Sequence, residues 1–214
     1  MFPIAPEGHP FILVTAVAGV LAWVFGFAAV AVALWLVALG CIAFFRDPDR
    51  RSDASPDVVL APADGKVIAL TTAPAKLEAF GLATQVSIFM SPIDVHINRA
   101  PTAGTVREAT WTPGRKFPAY RDKASELNEH SFVVLDGPLG TVAYKQIAGS
   151  LARRVVCDLA PGQRVQRGQR VGLIKFSSRV DLFLPPTAET LVSVGQRTRA
   201  GVTPVARQRG SKSP

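Results

Sequence analysis

The chain has 214 residues, 48% of them hydrophobic, and a formal net charge of +8, which allows one domain with additions and favours an acidic partner surface. No lysine/arginine run is interleaved with aromatics, so anionic lipid is expected and nucleic acid is not. Two cysteines, Cys41 and Cys157, both in apolar surroundings, exclude a disulfide framework, and the three histidines lack ligand spacing, so no metal is expected.

From Phe11 to Phe45 there is no charged residue. A single helix of that length would measure roughly 50 Å against a hydrocarbon core of roughly 30 Å. One tilted span and two arms bent near Gly26 therefore fit equally, and residues 1–45 are read as a membrane anchor. Arg46, Arg50 and Arg51 follow at once, so the positive-inside bias puts what comes next on the cytoplasmic side of the cell's inner membrane. Residues 46–56 read as a juxtamembrane linker or as a basic collar near lipid head groups.

From Asp57 the pattern changes to short β-rich runs: Val58–Leu60, Lys66–Leu70, Val86–Met90, Val133–Leu135 and Val142–Tyr144, parted by Gly, Pro or Asp. Helical periodicity is weak, apart from a stretch near Ala124 to Glu129. Such a pattern predicts a mainly β sandwich or barrel over residues 57–205. Pro161 to Gly172 adds two glycine turns that bracket paired short strands, as in barrel-sandwich hybrid modules. The basic end of the chain, 206–214, is expected to be disordered.

Gly172 to Pro185 encloses adjacent hydroxyls, Ser177 and Ser178. One reading is a β-hairpin with Ser-Ser-Arg as its turn; the other makes Ser178 a nucleophile that attacks its own backbone. His96 suits proton transfer or a core position bonded to backbone, and Asp64 suits orienting a base or capping a turn. Of Arg153 and Arg154, candidates for binding an anion, strand alternation lets one face inward. His130 reads as a surface residue, and Phe117 to Tyr120 as a flap or a turn.

Four segments, in this order behind an apolar anchor, carry a family resemblance: Ala61-Pro62-Ala63-Asp64-Gly65-Lys66, Met90 to Pro101, Gln146-Ile147-Ala148-Gly149 with Ala152-Arg153-Arg154, and Phe176-Ser177-Ser178-Arg179-Val180-Asp181. From Phe44 to about Pro204 the chain resembles the short-form phosphatidylserine decarboxylases. The resemblance implies a proenzyme that cuts itself by serinolysis between Ser177 and Ser178. The products are a β fragment ending at 177 and an α fragment beginning at 178, held together as a heterodimer. It implies a covalent pyruvoyl group derived from Ser178 that forms a Schiff base with phosphatidylserine and takes up electrons as CO2 leaves, giving phosphatidylethanolamine. His96 and Asp64 are the implied catalytic partners, with Arg153 and Arg154 at the substrate. This chain has Ser177 where the family usually has glycine, and Arg99 where long-form members carry a second histidine. The alternative is a membrane-tethered, non-enzymatic β-sandwich adaptor with an intact chain. A serine hydrolase is disfavoured by the lack of a Gly-x-Ser-x-Gly elbow.

Overall fold

A computed structural model describes residues 3–115, 117, 127–149, 154–175 and 178–209. It divides into two units, Met1–Asp49 and Arg50–Pro214.

In the first unit the charge-free run is broken into two antiparallel helices, α1 (His9–Val24) and α2 (Ala28–Phe44). Gly26 makes the bend with φ 84°, a left-handed conformation that glycine adopts without strain. Small residues let the helices approach: Gly19, Ala31 and Ala38 are buried, and a Cβ on Gly19 would meet Trp35 Nε1 at 2.5 Å. Trp23 packs on Trp35 and Phe11 on Phe45, while Ala5 N–H donates to Phe45 O at 2.8 Å and closes the base of the hairpin. The outward sides are apolar as well, with Leu13, Val24, Phe25 and Leu36 all exposed. Helices apolar on every side have no face suited to water. Pro6–Val24 is 19 residues of helix, long and apolar enough to cross a membrane.

The second unit is mainly β. Its strands are β1 (Val58–Leu60), β2 (Gly65–Thr72), β3 (Thr84–Met90), β4 (Ile97–Arg99), β5 (Gly104–Thr112), β6 (His130–Gly137) and β7 (Gly140–Ala148). They continue as β8 (Arg154–Cys157), β9 (Arg164–Val165), β10 (Arg170–Lys175), β11 (Ser178–Leu184), β12 (Ala188–Thr190), β13 (Arg197–Thr198) and β14 (Pro204–Gln208). An 8-stranded antiparallel sheet, ordered β13-β2-β3-β11-β7-β6-β5-β9, curls into a half-barrel, and two 3-stranded sheets accompany it, β1-β14-β12 and β4-β10-β8.

This order is the signature of an internal pseudo-dyad between β11 and β7. Each half of the large sheet has a counterpart in the other, and the two small sheets are equivalents. Ala61-Pro62-Ala63-Asp64-Gly65 enters β2 as Ala100-Pro101-Thr102-Ala103-Gly104 enters β5. The two segments exchange backbone bonds where they cross: Leu60 N–H donates to Pro101 O at 2.8 Å and Arg99 N–H to Pro62 O at 2.9 Å. Gly195 N–H donates to Val67 O as Gly162 N–H does to Val106 O, each at 2.8 Å. Half of the molecule is nested inside the other: β4 to β10 lie in sequence between β3 and β11. Where β6 turns tightly into β7 through Gly137 to Gly140, the equivalent place is open, with Met90 leaving and Ser178 returning.

The core fills the space between the large sheet and the small ones, with Ile88, Val133, Val180 and Leu182 packed with Val59, Val155, Ile174 and Val205. On the other face of the large sheet a smaller cluster joins Leu77, Leu82, Val134, Ala143 and Phe183.

Three expectations are corrected. β10 and β11 are not a hairpin: they belong to different sheets, β10 pairing with β4 and β8, β11 with β3 and β7. The short strands after Pro161 do not pair with each other either, since β9 pairs with β5. Residues 206–208 are not a disordered tail but the end of β14, with Ala206 buried between Val59 and Thr190. Of the suspected helix near 124–129, residues 124–126 lie outside the described residues, and Glu129 is not helical.

Gly104 tests the close approach of β5 to β6. A Cβ there would meet Asp136 O at 2.5 Å, so Gly104→Ala should cost about 1–3 kcal/mol by overpacking against backbone. Gly40→Ala, which meets nothing within 4 Å, should leave thermal unfolding of the β unit unmoved.

Candidate functional site

Ser178 opens β11, the strand at the centre of the large sheet, with Met90 of β3 on one side and Ala148 of β7 on the other. It is fully buried, and its hydroxyl donates to Met90 Sδ at 3.2 Å. Strand alternation sends Ser178, Val180 and Leu182 into the core and Arg179, Asp181 and Phe183 to the opposite face. Ser177 and Arg153 lie outside the described residues, as do Pro118 to Tyr120 of the suspected flap.

Beside Ser178 runs a buried polar chain that sequence reasoning missed. Ser131 Oγ donates to Gln146 Oε1 at 2.6 Å, and Gln146 Nε2 donates to Asn98 Oδ1 at 2.8 Å. Asn98 Nδ2 in turn reaches Met90 Sδ at 3.7 Å and Pro62 O at 3.4 Å. Amides are costly to bury unless they are paired, so each member fixes the next. The signal was available: Ser131, Gln146 and Asn98 are polar residues inside apolar strands. Burial pushes the Tyr144 phenol well up, with Cys157 adding to it, and pushes the Cys157 thiol up against the opposing bonds to Leu159 and Ser131. Cys157 is therefore held as a neutral, unreactive thiol.

His96 is buried just before β4, and its carbonyl accepts Ile174 N–H at 3.4 Å, four residues upstream of Ser178. Its Nδ1 lies 2.9 Å from Asp94 O. A carbonyl can only accept, so Nδ1 carries the proton and Nε2 is the basic atom of the neutral ring. Asp94, overlooked in the sequence, stiffens this turn: its Oδ2 accepts Ser91 N–H at 2.8 Å and Ser91 Oγ–H at 2.7 Å. The Ser-Pro-Ile-Asp spacing is the trace it leaves.

Asp64 is held on both oxygens. Arg50 forms a two-point ion pair with it, and Ala200 N–H donates to Oδ1 at 2.7 Å. Arg50 is thus folded into the β unit rather than forming part of a basic collar. From β2 to β11 is two strand spacings, so Asp64 stands roughly 10 Å from Ser178. Arg154 is exposed in β8, directly opposite Lys175 in register. Asn128 is buried and grips the backbone on either side: its Nδ2 donates to Ala148 O at 2.6 Å and to Phe117 O at 2.7 Å, and Phe117 N–H donates to its Oδ1 at 2.9 Å. His130 is half-buried on the far face of the sheet, with Nδ1 2.8 Å from Asn128 O. Burial lowers its pKa, the Asn128 bond opposes this, and the positive charges of Lys145 and Lys76 lower it further. Among the described residues no group of three or more His, Cys, Asp or Glu side chains is arranged to hold a metal ion.

Comparison with known proteins places this geometry in context. Residues 37–206 match the family model described as phosphatidylserine decarboxylase. The chain is similar to the phosphatidylserine decarboxylase proenzyme of Magnetococcus marinus, 44% identical over 98% of this chain and 97% of that one. It is also similar to the proenzymes of Solibacter usitatus, 43% identical over 92% and 93%, and Trichlorobacter lovleyi, 43% identical over 95% and 96%.

The lowered pKa of His130 has a signed consequence. As pH falls below the ordinary imidazole value of 6.5, the unfolded chain takes up the proton more readily than the folded one. Stability conferred by the neutral ring is present above that value and is lost toward the folded pKa. His130→Gln should flatten this acid limb in urea midpoints measured against pH; an unchanged slope contradicts the assignment.

Proposed function

The chain belongs to the phosphatidylserine decarboxylase family and is a decarboxylase. From that premise we propose that it cuts itself between Ser177 and Ser178 and then converts phosphatidylserine to phosphatidylethanolamine and CO2. The observation that carries this reading is the position of Ser178, buried at the first residue of a strand that is paired along both edges. A strand held this way keeps its place after its N-terminal peptide bond is broken.

In the proposed maturation Ser178 Oγ adds to the carbonyl of residue 177, and the C–N bond breaks as the nitrogen takes up a proton, leaving an ester. Removal of the Ser178 α-proton expels residue 177 as a carboxylate. Water then hydrolyses the remaining enamine, releasing ammonia and leaving a pyruvoyl cap on the α fragment. The surroundings suit this change, because the hydroxyl that is lost has a thioether as its partner, and a thioether sulfur needs no donor. When present, the group supplies an electron sink for decarboxylation.

The chain's own residues divide the remaining work. His96 is proposed to move protons through Nε2, and the Ser91–Asp94 turn fixes its ring. Asp64 is proposed to act as a positioning residue, holding the turn into β2 through Arg50 and the Ala200 amide. Arg154, paired across from Lys175, supports recognition of an anionic head group, with Arg153 beside it in sequence. The helical hairpin is proposed to anchor the protein in the inner membrane with the β unit on the cytoplasmic side.

Denaturing mass spectrometry of the purified protein should give two fragments, with the α chain capped by pyruvoyl. One intact chain with an ordinary serine at 178 would instead favour the adaptor. Ser178→Ala should leave the chain uncut and abolish CO2 release. Ser177→Gly, by freeing the backbone at the scissile bond, should accelerate cutting in a pulse-chase time course. His96→Gln should slow CO2 release by about a hundredfold or more in protein that has already been cut.

A further inference from the structure

The decarboxylase reading leaves unused a cavity of about 480 Å³ in the curl of the large sheet, on the face opposite Ser178. Both Thr71 of β2 and Thr110 of β5 line it, strands that a flat sheet would hold roughly 24 Å apart. The 3-10 segment Ala75–Phe80 forms one rim through Lys76, Leu77 and Phe80.

Its lining is sorted by chemistry. Phe80, Phe132 and Phe183 follow one another edge-to-face, at centroid distances of 6.0 and 6.3 Å, and offer an apolar lane for an aliphatic chain rather than a slot between parallel rings. Lys145 and Arg179 are only 7% and 4% exposed, Lys76 adds a third cation, and the described lining residues include no carboxylate. Asp181 stands behind them: Arg179 Nε lies 2.5 Å from its Oδ1, and Lys145 is its register partner. Arg179 also donates to Ser87 Oγ at 2.8 Å, and Gln85 Nε2 donates to the same oxygen at 3.0 Å. His130, its pKa lowered by burial and by Lys145 and Lys76, closes the polar side. Among the described residues the polar end thus carries three cations, two of them buried, with Asp181 behind the lining, and it presents positive charge to the trough.

We propose that this trough binds a single-chain anionic amphiphile, its carboxylate or phosphate head at Arg179 and Lys145 and its tail along the three phenylalanines. The volume lies within the range of sites that enclose small ligands and suits one chain with its head. The site is separate from residue 178, and the proposal does not rest on the decarboxylase reading.

Calorimetric titration of the full chain in lipid nanodiscs tests it with octyl phosphate, octanoate, octanol and inorganic phosphate. Both amphiphilic anions should bind at least ten times more tightly than octanol or inorganic phosphate. Preference for octanoate points to a free fatty acid and preference for octyl phosphate to a phosphate-headed lysolipid; either supports the site. Lys145→Met should weaken both anions about tenfold. The exposed positions provide variants that spare the core: Lys76→Gln should weaken both anions several-fold, and Thr71→Trp, filling the trough, should abolish binding. Equal affinity for octanol, equal affinity for inorganic phosphate, no binding of either anion, or full affinity in both Lys76→Gln and Thr71→Trp would overturn it.

Discussion

The structure depends on β11 being hydrogen-bonded along both edges. All seven of its residues are buried, and in continuous antiparallel register all seven pair with β3 and the first six with β7. A strand with no free edge cannot slide without exposing its entire apolar set, because a shift of one residue turns every side chain to the other face. On the core face Val180 and Leu182 anchor it. On the far face the buried Arg179–Asp181 ion pair, tied to Ser87, does the same. Removing either partner of such a pair would strand a buried charge, so this stretch is fixed independently of the covalent bond before it.

The pseudo-dyad explains why Ser178 falls where it does. The two halves are built alike, down to the reciprocal bonds between Leu60 and Pro101 and between Arg99 and Pro62. Symmetry fails first where β6 runs into β7: the tight turn of that half is a chain break-out in the other. The polar chain from Ser131 through Gln146 to Asn98 ends at Met90, the residue beside that opening. Asp64 is a second asymmetry, since its counterpart in the Ala-Pro repeat is Ala103. Asp64 and Ser178 thus sit where the copies differ, on a scaffold they share.

Much of this was legible in the sequence. Short β-rich runs located β1, β2, β3, β6 and β7, the charge-free run with Gly26 allowed a helical hairpin beside a single span, and the four motifs gave the family. Long-range pairing was not legible. β10 and β11 read as a hairpin because they are apolar, β-rich and nearly adjacent, but adjacency in sequence says nothing of which sheet a strand joins. The dyad went unnoticed because its traces are short: Ala-Pro-x-x-Gly twice, and Gly-Gln-Arg at 162 and 195 with a further copy at 168. Arg50 looked like linker because its partner, Asp64, lies beyond the first strand. Ala206 looked like tail because strand ends in basic, glycine-rich sequence carry little local signal.

Nesting one half within the other also sets an order of events. β6 and β7 meet through a tight turn, so their loop closes at little entropic cost, whereas β3 and β11 can meet only after the chain has made its excursion through β4 to β10. Non-local pairings of this kind form late. Residue 178 is therefore among the last to be enclosed, so any reaction that depends on its burial waits until the other strands have found their partners.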